Sequence, residues 1–275
     1  MLEFAVHPHS PGTSSPASRT LSCVAIIPAR YQSSRLPGKP LAEILGRPMI
    51  EHVYHRAAAA PSISQVIVAT DDERIVQAVE RFGGIARMTR ANHASGSDRL
   101  AEVAAGLSCD IVVNVQGDEP RIDPLMIEEA IDPMRRDSIV DIATLRKRIT
   151  EPKDFLDPNV VKVVVNREDF ALYFSRAPIP YLRDTTTRPH PAWLRESWCR
   201  LFKHVGLYVY RRDVLLAFAA LQPTSLERAE SLEQLRALEH GLRIKVIETS
   251  YESIGVDTPE DLERVRQLMA ADTRA

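Results

Sequence analysis

The chain has 275 residues, 44% hydrophobic and 26% charged, which is the composition of an ordinary globular protein and excludes a disordered, fibrous or collagen-like chain. Lysine plus arginine (35) nearly cancels aspartate plus glutamate (37), for a net charge of -2. No bulk cationic field exists to hold the molecule on nucleic acid or anionic lipid, so an anionic ligand must be gripped by a local cluster.

Residues 1–20 have no basic start and no apolar stretch, so they do not read as a secretory signal; their Pro, Ser and Thr content predicts a loose extension. An apolar strand is expected over 22–27, stopped by Pro28, followed by a basic loop and a helix over 49–60. A strand at 65–70, a helix at 71–83, a short strand at 86–88 and a helix with a capping-type start at 95–107 come next. A strand over 109–118 ends in a turn and leads to a helix at 123–134. Near-continuous apolar strands alternating with amphipathic helices indicate an α/β fold with a mostly parallel sheet covered on both faces.

After residue 138 the rhythm loosens. Segments 139–148, 160–166, 171–176 and 200–210 alternate with period two, as antiparallel or mixed strands do, and the polar, Pro-interrupted 184–197 reads as an exposed loop. Residues 226–241 are expected to form one helix stopped by Gly241, and 242–248 a strand. A final helix spans 258–270, with Thr258 as N-cap, Pro259 in the first turn, and Glu260 and Asp261 at its positive end. No run reaches the roughly 18 uncharged apolar residues that a spanning helix needs. Cys23, Cys109 and Cys199 show no CxxC or Cys/His spacing, which argues against zinc and a disulfide framework and fits a reducing, cytoplasmic setting; Cys23 and Cys109 read as small buried hydrophobes.

Two junctions carry chemistry. The loop Ala29-Arg30-Tyr31-Gln32-Ser33-Ser34-Arg35-Leu36-Pro37-Gly38-Lys39-Pro40 holds three cations and no acid, after the carboxyl end of an apolar strand where open α/β sheets bind ligands. Arginines fork onto phosphate oxygens and a lysine serves as a point charge, so the loop reads as a phosphate grip or, alternatively, as a solvated basic turn. No GxxxxGK[ST] or GxGxxG sequence accompanies it. The turn Gln116-Gly117-Asp118-Glu119-Pro120 places a carboxylate at a second strand end, beside a glycine that allows close backbone approach. Such a carboxylate suits Mg²⁺, which takes one or two carboxylates plus substrate phosphates; a turn using Asp and Gly for backbone geometry is the other reading. Asp257 is the best second carboxylate, although it could merely assist the Thr258 cap, and sequence separation does not say whether it meets Asp118.

The segments IIPARYQSSRLPGKPL, IVATDDERI, MTRANHASGSDRLAEV, VNVQGDEP, ALYFSRAPIP, FKHVGLYVYRR, LEQLRALEHG and GVDTPEDLERV together resemble the 3-deoxy-manno-octulosonate (Kdo) cytidylyltransferase family, in that family's order and over nearly the whole chain after residue 21. The resemblance implies a Rossmann-like sheet in one cytidylyltransferase domain, 21–275, behind the 1–20 extension. Within it 21–138 would be the nucleotide-binding core, 139–250 a smaller mixed α/β lobe for sugar binding and dimerisation, and 251–275 a return to the core. It implies transfer of CMP from CTP to Kdo with release of pyrophosphate, activating Kdo for lipopolysaccharide synthesis in the cytoplasm by a homodimer that binds no nucleic acid and inserts in no membrane.

By the same resemblance Arg30, Lys39, Asp118 and Asp257 are catalytic, with Mg²⁺ on Asp118 and Asp257. Ala29, Arg30, Arg35, Lys39, Arg90, Ser95 and Gln116 fall at nucleotide-binding positions, and Gln116, Arg176, His204, Tyr208, Glu233 and Gln234 at sugar-acid positions. Read singly, His204 and Tyr208 are ordinary strand-packing residues, Glu233 and Gln234 a solvated helix face, Arg90 a surface arginine and Ser95 a helix-entry residue. A carboxylate calls for Arg or His and hydroxyls for Glu, Gln or Tyr, which is what the sugar set offers. A cytidylyltransferase for another acidic sugar, 8-amino-Kdo or a sialic acid, and a nucleotide-binding regulatory protein without turnover are the rival expectations.

Overall fold

The structure, a computed structural model, describes residues 21–32, 35–93, 95–183 and 200–272. The 1–20 extension, the 184–197 loop and Cys199 lie outside the described residues. In chain order the elements are β1 (Cys23–Ala29), a 3-10 turn (Lys39–Leu41), β2 (Glu43–Ile44), β3 (Arg47–Pro48), α1 (Met49–Ala58), β4 (Ile63–Thr70), α2 (Glu73–Arg81), β5 (Ala86–Met88), α3 (Gly96–Ala105), β6 (Ile111–Asn114) and α4 (Pro124–Arg136). Then come β7 (Ile142–Arg148), α5 (Pro152–Leu156), β8 (Lys162–Val165), β9 (Ala171–Ser175), β10 (Phe202–Arg211), α6 (Arg212–Ala219), α7 (Ser225–Glu230), α8 (Gln234–Glu239), β11 (Ile244–Glu248) and α9 (Pro259–Asp272).

The main sheet runs β11-β7-β10-β6-β1-β4-β5, with β8 and β9 joined to it through β10. β1 pairs in parallel with β4 and β6, and β11 with β7; β10 alone among the strands on that path runs antiparallel, between β6 and β7. Successive residues of β1 enter opposite cores: Ala25 and Ile27 pack with Ile50 and Val53 of α1 and Ile127 of α4, whereas Val24 and Ile26 pack with Leu100 and Ala104 of α3 and Phe218 of α6. Burial on both faces is why these strands read as unbroken apolar runs; each large aliphatic side chain so buried contributes about 1.5–3 kcal/mol. The α/β fold with a mostly parallel sheet matches the expectation. The strands of 139–250 divide between the main sheet and the β8–β9 ladder.

Two local expectations need correction. Pro28 does not stop the first strand but lies inside β1, paired with Ala69. The missing N–H is tolerated because pairing of β1 with β6 ends at Ile26, and residue 28 faces that vacated side, so no ladder bond is lost. The single helix over 226–241 is two helices. Ser231 takes a left-handed conformation (φ 52°) and ends α7, and α8 starts at Gln234. α8 buries Leu235 and Ala237 whereas α7 buries none of its residues, and no Gly or Pro marks the break between them.

A small satellite core, Ile44, Met49, Val256, Leu262 and Val265, fastens the start of α9 to the β2–β3 hairpin. It thereby returns the end of the chain to the carboxyl edge of β1.

Candidate active site

The basic loop leaves β1 and closes on itself. Gly38 donates its N–H to Tyr31 O (2.9 Å), and its φ of 72° belongs to the left-handed region that only glycine enters freely. The Tyr31 ring backs this turn and is covered in turn by the Arg74 guanidinium of α2, 3.3 Å from the ring centroid. Gly38 thus aims Lys39, at the start of the 3-10 turn, back toward the sheet. Arg30 reaches across to donate to His93 O (3.0 Å) in the loop ahead of α3.

The second junction fits against the first through Gly117. A Cβ there would lie 2.8 Å from Pro28 O and 3.5 Å from an Ile27 methyl, so only glycine lets the 116–119 turn press onto the end of β1. That approach brings Asp118 to the basic loop. Lys39 Nζ donates to Asp118 Oδ2 at 2.6 Å.

The third part arrives from far along the chain. Val256 donates its N–H to Asp118 O (2.9 Å), and Ser253 Oγ donates to Glu119 Oε2 (2.7 Å), which lays segment 253–257 alongside the turn. The α9 cap does not use the Asp257 carboxylate. Thr258 Oγ1 accepts from Asp261 N, and Asp261 Oδ2 accepts from the N–H groups of Thr258 and Asp257. The Asp257 carboxylate instead takes Lys39 Nζ at 3.1 Å through one oxygen and Arg35 Nη2 at 3.1 Å through the other. Burial pulls the Lys39 pKa down, but hydrogen bonds and charge from Asp118 and Asp257 more than reverse this and hold it above its ordinary value. Glu119 is driven the other way: burial, helped by the Asp118 charge, raises it to about 7 despite the Ser253 hydroxyl.

The two aspartates therefore converge on one cation, here an ammonium. Their oxygens, 2.6 and 3.1 Å from the same nitrogen, lie within about 6 Å of each other, a gap that a divalent ion with short oxygen bonds can bridge after modest side-chain movement. No cluster of three or more His, Cys, Asp or Glu that could hold a metal exists among the described residues. A hard ion bound here would have two protein carboxylates and would complete its shell with ligand oxygens and water, the pattern of Mg²⁺ rather than zinc or calcium.

Beside Lys39 and Asp118 lies a cleft of about 350 Å³ lined by these two residues with Pro28, Ala29, Arg30, Gln32, Pro40, Gln116 and Gly117. Gln116 also lines a second cavity, of about 210 Å³, with Gly96, Ser97, Asn114, Tyr208, Tyr210, Phe218, Glu233 and Gln234. One side chain is thus shared by two adjoining chambers, and it donates to Gly206 O (3.2 Å), where the β10–β7 register shifts.

The residues expected on the nucleotide side are placed unevenly. Ala29, Arg30, Lys39 and Gln116 line the cleft, and Arg35 stands behind Asp257. Ser95 caps α3, and Arg90, its side chain 71% exposed, pairs with Glu102.

On the sugar side, Tyr208, Glu233 and Gln234 line the second cavity. Ser97 Oγ donates to Glu233 Oε2 (2.8 Å), and burial pushes the Glu233 pKa up. His204 lies beside Tyr208, ring centroids 5.2 Å apart, and beneath Phe174. Thr144 Oγ1 commits its one proton to the backbone, with Leu207 O at 2.8 Å, so it accepts from His204 Nε2 at 2.9 Å and sets the tautomer. Burial lowers the His204 pKa to about 3, so the imidazole is neutral at pH 7 and offers no positive charge to a carboxylate. Arg176 is committed elsewhere: Nε donates to Glu230 O (2.7 Å) and Nη2 to Ser231 O (3.4 Å), carbonyls at the α7–α8 break, and Nη1 donates to Pro158 O (3.0 Å) ahead of β8.

A cytidylyltransferase family model matches residues 24–245. The chain is 59% identical over 250 residues to a 3-deoxy-manno-octulosonate cytidylyltransferase of Geobacter metallireducens, spanning 91% of this chain and 98% of that protein. It is 60% identical over 249 residues to a protein of the same name from Geotalea uraniireducens, spanning 90% and 99%. This chain belongs to that family. Its structure is similar to that of a CMP:2-keto-3-deoxy-manno-octonic acid synthetase complexed with CTP, with 49% identity and a TM-score of 0.84 over 91% of this chain and 99% of that one.

Several further groups of this cytidylyltransferase emerge only from the structure. Ser97, Tyr210 and Phe218 line the second cavity, and Ser253 and Glu119 dock the Asp257 segment. Ser97 and Ser253 lack any local signal, since a serine in a capped helix or a polar loop is unremarkable until its partner is known.

Proposed function

We propose that the chain transfers CMP from CTP to 3-deoxy-manno-octulosonate, releasing pyrophosphate, with the triphosphate in the Lys39 cleft and the sugar acid in the adjoining cavity. One observation carries the reading: Asp118 and Asp257, 139 residues apart in sequence, hold a single cation at the mouth of a cleft whose wall continues, through Gln116, into a second polar chamber. Nucleotidyl transfer asks a protein mainly for alignment and charge compensation, because the attacking hydroxyl of an anionic sugar must approach the α-phosphorus of an anionic nucleotide.

Arg30, Arg35 and Lys39 are the groups to hold the phosphates and to stabilise the departing pyrophosphate, with Lys39 exchanging its carboxylate partners for phosphate oxygens. Mg²⁺ held by Asp118 and Asp257 would supply charge neutralisation between the two substrates and a lowered pKa for the attacking hydroxyl. Glu233, Gln234 and Tyr208 present hydrogen-bonding groups suited to sugar hydroxyls, and Gln116 borders both substrates. Arg176 would meet the sugar carboxylate only by releasing its carbonyl partners.

A pyrophosphate-release assay with CTP across Kdo, 8-amino-Kdo and sialic acid, with and without EDTA, tests the assignment. Release with Kdo that EDTA abolishes is the expected result; release with a different sugar acid only would transfer the assignment to that sugar. The Asp118→Ala variant should lose at least about 100-fold in turnover while still folding, the scale of a single electrostatic contributor to a transition state. Full Mg²⁺-dependent turnover by Asp118→Ala would remove the metal assignment.

A further inference from the structure

The second cavity contains a buried acceptor that the protein itself leaves unpaired. Asn114, the last residue of β6, is 4% exposed, and its Oδ1 has no hydrogen-bond partner among the described residues. Antiparallel pairing sets it directly opposite Tyr208, so both side chains lie on the sheet face that carries the cavity. The same face of β6 one step back is Val112, packed in the apolar core beneath α3 and α6. An aliphatic residue would suit position 114 as well, and an amide oxygen buried there without a partner is a net cost to folding.

A second oxygen in the cavity also lacks a hydrogen bond. Glu233 gives Oε2 to Ser97, but its Oε1 is buried without a hydrogen bond, the Arg236 guanidinium standing off at 3.6 Å. The cavity therefore holds two acceptors without a hydrogen bond, one of them, on Glu233, ion-paired with Arg236, and among the described residues no lysine, arginine or histidine lines it. That chemistry calls for a ligand rich in hydroxyl donors.

We infer that Asn114 is a specificity-determining residue, whose Oδ1 accepts a hydrogen bond from one hydroxyl of the bound sugar acid. The inference rests on the assignment of this cavity to the sugar. It makes Asn114 a residue kept at the expense of stability for recognition, which separates it from a merely structural asparagine.

The test compares Asn114→Leu and Asn114→Ala with the parent enzyme and with Glu233→Gln, measuring KM for Kdo and for CTP, the melting temperature, and kcat/KM for Kdo analogues each lacking one hydroxyl. Both Asn114 variants should raise the KM for Kdo about tenfold, the worth of one hydrogen bond, and leave the KM for CTP within about twofold. Asn114→Leu should melt at or above the parent temperature, because an unpaired buried acceptor has gone. One deoxy analogue should be used equally well by the parent enzyme and Asn114→Leu, which identifies the hydroxyl that is read. If the KM for Kdo is unchanged in both Asn114 variants but rises in Glu233→Gln, the role of Asn114 is overturned and the cavity assignment stands. If it is unchanged in all three, the cavity assignment itself falls. A lower melting temperature in Asn114→Leu together with equal losses for both substrates would show a structural asparagine and overturn the inference.

Discussion

Gly117 shows how little room the site has. Its missing Cβ is what allows Asp118 to reach Lys39, since the added carbon of Gly117→Ala would sit 2.8 Å from a backbone oxygen that cannot swing aside. We expect Gly117→Ala to cost about 1–3 kcal/mol by chemical denaturation, the usual penalty for overpacking. We also expect kcat/KM for CTP to fall by roughly 100-fold, because a displacement near 1 Å at a reacting group costs that much. His204 makes a prediction in the pH domain. Its ordinary pKa of 6.5 is lowered to about 3 in the fold, so the unfolded chain binds a proton that the folded chain refuses between those values. Its contribution to stability is therefore complete above pH 6.5 and shrinks as pH falls from 6.5 toward 3. Replacement by Gln should flatten the parent's acid-side loss by up to about 1.4 kcal/mol per pH unit over that window, measured by urea unfolding. The activity of His204→Gln is a separate matter, since a neutral imidazole positions Tyr208 by ring contact rather than by charge.

At the scale of elements, the decisive piece is segment 253–257 leading into α9. Its own sequence announces a helix start and nothing more. Three independent ties place it: the apolar cluster around Val256 and Leu262, the Val256–Asp118 backbone bond, and the Ser253–Glu119 bond. Ser253→Ala breaks the last and removes a hydroxyl donor from the half-buried Glu119 carboxyl, at a cost of about 1 kcal/mol in stability. The looser segment should also raise the Mg²⁺ concentration for half-maximal rate several-fold, read from a metal titration of pyrophosphate release, with the KM for CTP at saturating metal nearly unchanged. An unaltered metal requirement would show that Asp257 needs no such support. The α7–α8 break teaches the opposite lesson about local signals. A left-handed Ser231 with no glycine nearby interrupts what the spacing of apolar residues presents as one helix, and the carbonyls it frees are taken up by Arg176. Here tertiary hydrogen bonds override local helix preference.

Across the whole molecule, the features legible in the sequence are the local ones. The buried strands β1, β4 and β6, the helices α1 to α4 and the cap of α9 all follow from patterns within one element, and each appears in the structure within a few residues of its expected bounds. The basic loop and the Gln116–Gly117–Asp118 turn were also legible, because strand ends in an α/β sheet are the places where ligand-binding groups collect. Composition and periodicity, acting over a few turns or strand residues, determined the α/β class, the doubly covered sheet and the nature of the groups at its carboxyl edge. Only the folded chain decided that Asp257 leaves the α9 cap to Asp261 and joins Asp118 on one cation, that His204 is held as a neutral ring, and that Arg176 spends its donors on carbonyls. The reason is range: hydrophobic patterning and capping act between residues a few positions apart, whereas charge pairing and desolvation depend on which distant segments the packed core brings within a few ångströms of each other.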